Sequence, residues 1–432
     1  MKKVNVGLIG LGNVGRGVVK ILADKRRLLT DKIGMEINIK KICDKDLSAR
    51  RSLPAGKCVF VKNAAQVLND PQIDIVVELI GGMHPAKEYI GLALKNGKSV
   101  VTANKALLSQ EGKELFKLAA ERGKNIYFET SVGAGIPIIK SLREGLVANR
   151  FNSIFGIVNG TSNFILSQMS NRNCAFREAL KEARHRGFAE KNAALDIEGI
   201  DSAHKLILLT FLSFGRLVDL SDVYVEGISR ISLDDINYAK ELGFEIKLLA
   251  IAKKEEGELE VRVHPTFLPK EHLLSSVSGV NNAIYVSCDL AGDLLFYGPG
   301  AGQRSAASAV VADLVDLTQD IKAGLFRPTL RSVVDGSIKR LRKIDQVESK
   351  YYIRFMAADK PGVLAKIAGV LAKFKISIAS VTQKQKKGRS RIVPIVMVIH
   401  ETREKSLHKA LEIIGHLGVI KEKPVAIRME EV

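Results

Sequence analysis

The sequence predicts an α/β protein with three parts: a doubly wound parallel sheet, a second α+β domain and a C-terminal βαββαβ domain. Three observations support this class. Short apolar strands alternate with helical patterns over about the first 130 residues, which is typical of parallel βα units. A glycine-rich turn follows the first strand, and a polar stretch near residue 340 separates a last module with its own alternation of strands and helices.

The chain starts with a short apolar strand, Val4–Ile9, followed by a glycine turn and the helical pattern RGVVKILADK. The turn consists of Gly10, Leu11, Gly12, Asn13, Val14 and Gly15. Three glycines at this spacing permit a tight bend, close approach of a pyrophosphate and close packing of the helix on the strand. The amide N–H groups at the helix start would face the phosphates. This context favours a Rossmann-type dinucleotide site over an ordinary glycine-rich turn.

The second predicted strand, Ile37–Cys43, ends at Asp44, where such folds place an acid for the adenosine ribose. Asp44 favours NAD because it can accept hydrogen bonds from both ribose hydroxyls. Lys45, Arg50 and Arg51 follow and could neutralise the 2′-phosphate of NADP. Both cofactors therefore stay open, and we expect use of both with NADP preferred. The sheet continues through further predicted strands at Ile73–Ile80, Ser99–Thr102 and Ile126–Glu129.

The stretch GFAEKNAALDIEGIDSAHK, Gly187–Lys205, places four candidate site residues in a mostly apolar segment ahead of a helical pattern. These residues are Glu190, Asp196, Asp201 and Lys205. Asp201 and Lys205 are four apart, so they share one face of the helix. Carboxylates can hold an ammonium group, and a desolvated lysine can exchange a proton with a hydroxyl. The alternative is a surface salt bridge at helical spacing.

Six motifs in this order resemble the homoserine dehydrogenase family over about the first 330 residues. They are GLGNVG (Gly10–Gly15), VTANKALL (Val101–Leu108), ETSVGAGIPII (Glu129–Ile139), GIVNGTSNFIL (Gly156–Leu166), GFAE with LDIEGIDSAHK (Gly187–Lys205) and YGPGAG (Tyr297–Gly302). The resemblance implies reversible NAD(P)-dependent hydride transfer between L-homoserine and L-aspartate 4-semialdehyde, in threonine, methionine and isoleucine biosynthesis.

The resemblance also implies roles for single residues. Lys205 matches the proton-transfer lysine, Asp201 the substrate-contacting acid beside it, and Lys105 a lysine near the nicotinamide and the substrate hydroxyl. Two lysines could converge on one oxygen, with Asp201 orienting them. Glu190 and Asp196 match substrate-binding acids. Gly187, Lys105 and Gly302 match residues on the cofactor side.

A monovalent cation site, for Na⁺ or K⁺, is implied at a glycine-rich bend. Its residues are Glu129, Val132, Ala134 and Ile136, which would act mainly through main-chain carbonyls. The alternative there is a tight structural turn.

One loop departs from the family pattern: Lys191–Ala194 reads KNAA where x-Asp-Pro-Ser/Thr is usual. Losing the proline and the hydroxyl puts the rigidity of this loop, and hence the affinity for homoserine, in question.

After the polar stretch SIKRLRKIDQVESK (Ser337–Lys350), the pattern predicts strand Tyr351–Ala357, helix Val363–Phe374, strands Ile376–Thr382 and Ile392–Ile399, helix Lys405–Gly415 and strand Pro424–Met429. This ferredoxin-like βαββαβ order with DKPGVL resembles an ACT domain. The resemblance implies amino-acid binding, with threonine as the expected effector, near Asp359 and Gly362. The alternative is a module that serves only oligomerisation.

The predicted boundaries combine these observations. Residues 1–130 form the nucleotide-binding domain, which 300–330 complete, and 131–299 form the catalytic and dimerisation domain. Residues 331–347 are a linker, and 348–432 are the ACT regulatory domain. We expect a homodimer or a higher homo-oligomer. A different amino-acid pathway dehydrogenase would not be expected to carry GIVNGTSNFIL, and a non-catalytic amino-acid sensor with a nucleotide-binding domain would not need Lys205.

Composition restricts the class of protein further. Of the net charge of +19, residues 331–432 supply +12, from 22 Lys/Arg and 10 Asp/Glu. The densest run, KQKKGRSR at Lys384–Arg391, lacks aromatic residues, so we expect a solvated hairpin loop and no nucleic-acid binding.

No apolar run approaches the roughly 20 residues of a membrane span. The N-terminal apolar run lacks a small-residue cleavage site. Four scattered cysteines without a CxxC pair indicate a reduced, cytoplasmic protein.

Overall fold

The structure is a computed structural model, which describes residues 3–48, 53–327, 338–383 and 391–431. Arg50 and Arg51 lie outside the described residues, as do 331–337 of the predicted linker and all but the last residue of the basic run Lys384–Arg391.

Strands and helices are numbered in chain order. The strands are β1 (Lys3–Ile9), β2 (Glu36–Cys43), β3 (Val59–Val61), β4 (Ile75–Glu78), β5 (Ser99–Thr102), β6 (Ile126–Tyr127), β7 (Phe151–Ile157), β8 (Tyr224–Val225), β9 (Phe244–Glu255), β10 (Glu258–Pro269), β11 (Asn281–Cys288), β12 (Gly292–Pro299), β13 (Arg340–Leu341), β14 (Glu348–Ala358), β15 (Ile378–Gln383), β16 (Ile392–Arg403) and β17 (Val425–Met429). The helices are α1 (Asn13–Asp24), α2 (Arg26–Ile33), α3 (Ala65–Leu68), α4 (Ala86–Lys95), α5 (Lys105–Glu121), α6 (Ile138–Lys140), α7 (Gly160–Arg172), α8 (Phe176–His185), α9 (Ala194–Ile197), α10 (Ile200–Phe214), α11 (Leu233–Glu241), α12 (Gln303–Ala323), α13 (Val363–Lys373) and α14 (Glu404–Gly415).

The chain forms two compact units. The first contains Met1–Gly160, Asp201–Val223 and Val280–Ser337, and the second contains Thr161–Ile200, Tyr224–Gly279 and Ile338–Val432. The domain boundaries predicted from the sequence remain a prediction.

A parallel sheet with the strand order β3-β2-β1-β4-β5-β6 forms the centre of the first unit, which confirms the predicted Rossmann-type fold. The strand order reverses direction between β1 and β4, the place where such folds bind dinucleotides. Strand β3 was not predicted, because three residues show no periodicity. The last predicted strand is shorter than expected: β6 ends at Tyr127, and Glu129–Ser131 form a 3₁₀ turn.

Helix α12 completes the core of this unit from far along the chain. Its Ala307, Val310 and Leu314 are fully buried in the cluster that also contains the side chains of β1. A Cβ at Gly17 of α1 would lie 2.7 Å from the Cβ of Ala307, so the two helices pack in direct contact. The same unit contains an antiparallel ladder in the order β12-β11-β7.

The second unit is built around β10, which pairs antiparallel with β9 along its whole length. On the other edge of β10, the short strands β13, β8 and β17 pair with it in parallel, one after another. Residues 348–429, called the tail below, have the element order β14-α13-β15-β16-α14-β17, which confirms the predicted βαββαβ fold. The strand order in the sheet is β17-β14-β16-β15.

The tail packs closely within this unit. Tyr352 donates a hydrogen bond to Asp235 at 3.0 Å, and the Nε of Arg354 donates to the same fully buried carboxylate at 2.7 Å. Strand β13 lies inside the stretch that was predicted to be a linker. A chain without the tail would therefore leave Ser232 as the remaining partner of the Asp235 carboxylate and would remove β17 from the edge of β10.

Candidate active site

The glycine turn after β1 combines two packed glycines with one open position. A Cβ at Gly10, whose φ is +105°, would lie 2.6 Å from the main-chain carbon of Leu79. A Cβ at Gly15 would lie 2.2 Å from the carbonyl oxygen of Gly10. Gly12 has no atom within 4 Å of its Cβ position. Two glycines are thus required for packing, and the third leaves the approach free for a pyrophosphate.

Asp44 stabilises this turn. Its carboxylate accepts hydrogen bonds from the N–H groups of Leu11 and Asp46, the second at 2.9 Å. Each carboxylate oxygen can accept more than one hydrogen bond, so both keep capacity for ribose hydroxyls. Lys45 follows directly and is exposed to solvent.

Gly302 lies next to the glycine turn. It has a φ of +125° and precedes α12. The adjacent Gln303 donates a hydrogen bond from Nε2 to the carbonyl of Asn13 at 2.9 Å. Sequence reasoning missed Gln303, because a contact between residues 290 positions apart leaves no local signal.

A buried hydrogen-bond network holds the start of α5, where Lys105 is located. Glu78 is fully buried and accepts hydrogen bonds from the Thr102 hydroxyl at 2.6 Å and from the N–H of Ile80 at 2.8 Å. Asn104 donates to the carbonyl of Gly82 at 2.6 Å, and its side-chain oxygen caps α5. The network fixes the loops after β4 and β5 together, and with them the backbone of Lys105.

Asp201 lies between two lysines. The Nζ of Lys205 is 2.7 Å from one of its carboxylate oxygens, and the Nζ of Lys105 is 3.1 Å from the other. The side chains of Lys205 and Asp201 are only 11% and 13% exposed, so this pair is not a surface salt bridge. Burial alone would raise the pKa of Asp201, but the two ammonium groups hold it well below its usual range. Asp201 is therefore an anion that orients both lysines.

Two neighbouring groups complete this cluster of Lys105, Asp201 and Lys205. The Nζ of Lys205 donates to the carbonyl of Val158 at 2.5 Å, and the side chain of Asn159 donates to Asp201 at 2.9 Å. Sequence reasoning assigned no role to Asn159, although its position in GIVNGTSNFIL was a signal. Burial lowers the pKa of the neighbouring His204, which keeps the imidazole neutral at neutral pH.

The predicted substrate-binding acids lie in the second unit. Glu190 is exposed and Asp196 is half-buried on the short helix α9. The hydroxyl of Ser162 donates to the main-chain carbonyl of Asp196 at 2.7 Å, which anchors this helix. Gly187 is exposed with a φ of +73°.

Two hydrogen bonds hold the unusual loop Lys191–Ala194. The side-chain oxygen of Asn192 accepts from the N–H of Ala194 at 3.2 Å, and Arg184 donates to the carbonyl of Lys191 at 3.2 Å. Asn192, at the position of the usual Asp, thus forms an Asx turn at the start of α9.

At the predicted cation site, the Glu129 carboxylate already has two partners. Its oxygens accept from the N–H groups of Ile139 at 2.9 Å and Lys140 at 2.8 Å. Burial raises the pKa of Glu129 to about 7, because these two bonds only partly offset the loss of water. A bound cation would favour its charged form.

The backbone of this bend contains a sharp turn and a carbonyl that can accept a further ligand. Gly133 and Ala134 have φ values of +69° and +52°, which makes a sharp turn. The carbonyl of Ile136 accepts from the N–H of Ile138 at 2.8 Å and keeps one lone pair. Val132 precedes the turn in an extended conformation.

In the tail, the predicted effector position is open. Gly362 has a φ of +83° and precedes α13, and no atom lies within 4 Å of its Cβ position. The N–H of Asp359 donates to the carbonyl of Arg391 at 3.0 Å, which holds the turn before the helix.

Two features are absent from the parts of the chain that the structure describes. No helix there is long and apolar enough to cross a membrane. No group of three or more His, Cys, Asp and Glu side chains there could hold a metal ion. The four cysteines are free thiols.

Known proteins match this chain along its whole length. The family model for the NAD-binding domain of homoserine dehydrogenase matches residues 10–129, the model for homoserine dehydrogenase matches 137–315, and the ACT domain model matches 351–417. Homoserine dehydrogenases of Neisseria gonorrhoeae and Bacillus subtilis are 42% and 40% identical, and each match covers 100% of this chain and 99% of the relative.

Solved structures give the same result. A homoserine dehydrogenase from Thiobacillus denitrificans is 43% identical with a TM-score of 0.93, over 100% of this chain and 99% of that chain. A hyperthermophilic archaeal homoserine dehydrogenase in complex with NADPH is 29% identical with a TM-score of 0.63, over 75% of this chain and 100% of that chain.

Proposed function

This chain belongs to the homoserine dehydrogenase family and is an oxidoreductase of that activity, and we propose that the cluster of Lys105, Asp201 and Lys205 carries out its proton transfer. The reaction interconverts L-homoserine and L-aspartate 4-semialdehyde with a nicotinamide cofactor. The observation that supports the site is the nearly buried Asp201 carboxylate, which binds one lysine through each oxygen. The glycine turn and this cluster belong to the same compact unit.

The nicotinamide supplies or accepts the hydride when it is bound. In the reducing direction, the aldehyde oxygen gains negative charge as hydride arrives at its carbon, and the ammonium of Lys205 donates a proton to that oxygen. In the oxidising direction, the same lysine accepts the hydroxyl proton. Lys105 donates a hydrogen bond to the reacting oxygen, and Asp201 keeps both Nζ atoms in place.

The substrate is selected by its charged end. We assign Glu190 and Asp196 to the α-ammonium of homoserine, because carboxylates make charge-assisted hydrogen bonds with it. This assignment depends on the sequence resemblance. Replacing Asp196 with Asn should raise the KM for homoserine more than it lowers kcat, because a ground-state contact is lost.

We propose NADP as the preferred cofactor, with NAD also accepted. Gly10–Gly15 and Gly302 would hold the pyrophosphate, and Gly187 and Lys105 the nicotinamide end. The exposed Lys45 beside Asp44 is suited to a 2′-phosphate. A relative whose structure was solved in complex with NADPH is consistent with this preference.

A monovalent cation, Na⁺ or K⁺, would be held by the bend of Glu129, Val132, Ala134 and Ile136, where it supplies positive charge against a buried carboxylate. The sharp turn at Gly133 and Ala134 supports this site. Activity measured in Na⁺, K⁺ and tetramethylammonium chlorides at equal ionic strength tests it, and equal rates in all three salts would contradict it.

We further propose that the ACT domain binds threonine near Asp359 and Gly362 and that the protein is a cytoplasmic homodimer or higher homo-oligomer. The open space over Gly362 supports access for a small carboxylate. A non-catalytic sensor is not favoured, because such a protein would not need the lysine pair around Asp201.

A spectrophotometric assay tests the function directly. Reduced nicotinamide should form with L-homoserine and NADP⁺, and should disappear with L-aspartate 4-semialdehyde and NADPH. L-serine, which is one carbon shorter, serves as the control and should react far more slowly. If neither direction gives an absorbance change, the proposed activity is wrong.

A further inference from the structure

Two segments of the second unit touch without any space between them: Ile197–Gly199, which follows Asp196, and Tyr224–Ile228. The N–H of Ile228 donates to the carbonyl of Ile197 at 2.8 Å. A Cβ at Gly227 would lie 2.4 Å from that carbonyl oxygen and 2.5 Å from the Cα of Glu198. We call this contact the loop junction. Because no side chain fits at Gly227, a shift of one segment must move the other.

Arg428, from the last strand of the tail, fixes the second segment. Its guanidinium donates to the carboxylate of Glu226 at 2.8 Å and to the hydroxyl of Tyr224 at 3.0 Å. It also lies 4.7 Å from the centre of the Tyr224 ring. The side chain is almost fully buried. Arg428 therefore reaches from the tail to both side chains that flank Val225.

The tail holds Arg428 in one orientation through Glu404. The buried Glu404 carboxylate accepts from Nε of Arg428 at 2.9 Å, and it also binds Nη2 and the hydroxyl of Tyr351. Burial alone would raise the pKa of Glu404, but His408 and Arg428 hold it at about 2. The anion persists at neutral pH, so the anchor of Arg428 is permanent.

The contact with Glu226 is the weaker end of this chain of contacts. Its side chain is 32% exposed, whereas that of Glu404 is 1% exposed. The loop junction also borders a groove of about 1550 Å³ that Glu198, Glu226 and Arg428 help to line. Glu226 can therefore leave Arg428 without opening the core of the tail.

We infer that Arg428 and Glu226 are positioning residues: through them the tail holds Tyr224–Ile228 against Ile197–Gly199 and so fixes the substrate loop that carries Asp196. The inference rests on the proposed function for the role of Asp196. It gives an effector in the tail a route to the substrate site, because a displacement of β17 moves Arg428, which either pulls Glu226 with it or releases Glu226, and both outcomes disturb the loop junction. A change at the loop junction should therefore alter the affinity for homoserine. The glycine turn is not part of this chain of contacts, so the affinity for the cofactor should stay the same.

Two substitutions weaken the loop junction at different points. E226A removes the carboxylate that Arg428 binds, and G227A places a methyl group against Ile197 and Glu198. Each should raise the KM for homoserine by about 2- to 30-fold, the range of energetic coupling through such contacts. The kcat and the KM for NADP⁺ should change less than about twofold. E226Q keeps an acceptor oxygen for Arg428 and should restore most of the affinity.

The matched control is R403A. Arg403 makes an ion pair with Glu348 at 2.9 Å in the same tail, but both side chains are exposed and neither belongs to the loop junction. This variant should keep the wild-type KM. An unchanged KM in both E226A and G227A would overturn the inference, as would an equal rise in the KM for NADP⁺.

Hydrogen exchange separates a failure of this inference from a failure of the proposed function, because it needs no substrate. In E226A, amides of 194–200 and 224–228 should exchange faster than in wild type, while those of the glycine turn keep their rates. Unchanged exchange in the first two segments would overturn the inference. An absence of homoserine oxidation by wild-type enzyme would instead overturn the proposed function.

Discussion

Replacing Lys205 with methionine tests the proton-transfer role most directly. The substitution keeps an unbranched side chain that is one atom shorter and removes the ammonium, which in the wild type contacts Asp201 at 2.7 Å and the carbonyl of Val158 at 2.5 Å. Asp201 keeps Lys105 and Asn159 as partners. Its pKa should rise, because Lys205 contributes most to the opposing attraction. The fold should persist, because an unbranched apolar side chain suits this nearly buried position.

The expected loss follows from the role of a positioned acid–base group. Such a group contributes about 10²- to 10⁴-fold in rate, which corresponds to roughly 3–5.5 kcal/mol of transition-state stabilisation. We expect kcat to fall by this factor, with little change in the binding of NADPH, because the glycine turn makes no contact with Lys205 in this network.

The assay measures steady-state reduction of the semialdehyde with NADPH and with NADPH deuterated at the transferred position. A slower chemical step should increase the isotope effect on kcat. The matched control is Lys98→Met, since Lys98 is also a buried lysine that donates to carbonyls, those of Asp70 at 2.6 Å and Ile73 at 2.9 Å. This control should lose stability but keep its kcat.

Two results would refute the assignment. If Lys205→Met keeps near wild-type turnover, Lys105 is the proton-transfer group and Lys205 only holds Asp201. If Lys98→Met loses as much kcat as Lys205→Met, the loss reports damage to the fold rather than chemistry.

Three further predictions concern the cofactor, the tail and a buried lysine. Lys45→Ala should raise the KM for NADP much more than that for NAD, and equal effects would show that Lys45 does not face the ribose. Calorimetry should detect threonine binding to the wild-type protein and not to Gly362→Ala, whose methyl group enters the open space and strains a φ of +83°. No heat with the wild type would contradict regulation by threonine. Inhibition by threonine should be partial, since the coupling free energy between two sites is about 1–3 kcal/mol. Burial lowers the pKa of Lys247 from 10.5 to about 8, so the unfolded chain binds more protons between these pH values. The unfolding free energy of wild type relative to Lys247→Met should then rise by about 3 kcal/mol from pH 8 to 10.5, and a constant difference in urea titrations would contradict this.

Local patterns in the sequence were sufficient for the elements that carry the cofactor. The strand before Gly10 and the helix after Gly15 follow from an apolar run, three glycines and a helical period, all within about 25 residues. The βαββαβ order of the tail was predictable for the same reason, because alternation and turn residues act over a few positions. Asp201 and Lys205 are paired by helical spacing alone.

The partners of the charged groups could not be predicted in the same way. Asn159 binds Asp201 from 42 residues away, and Arg428 binds Glu226 from 202 residues away. Nothing in the sequence near Arg428 distinguishes a buried arginine from the many exposed ones. The pairing of β17 with β10 was likewise not predictable, because the two strands lie far apart in the sequence.

The sequence by itself determined which elements form and which residue types the chemistry requires, because periodicity, turn residues and helical spacing act between neighbours in the chain. Only the tertiary structure decided which of these groups meet. It placed Lys105 against Asp201 and Arg428 against Glu226, because burial forces each charged group to find its partner wherever the packed strands and helices bring one within reach.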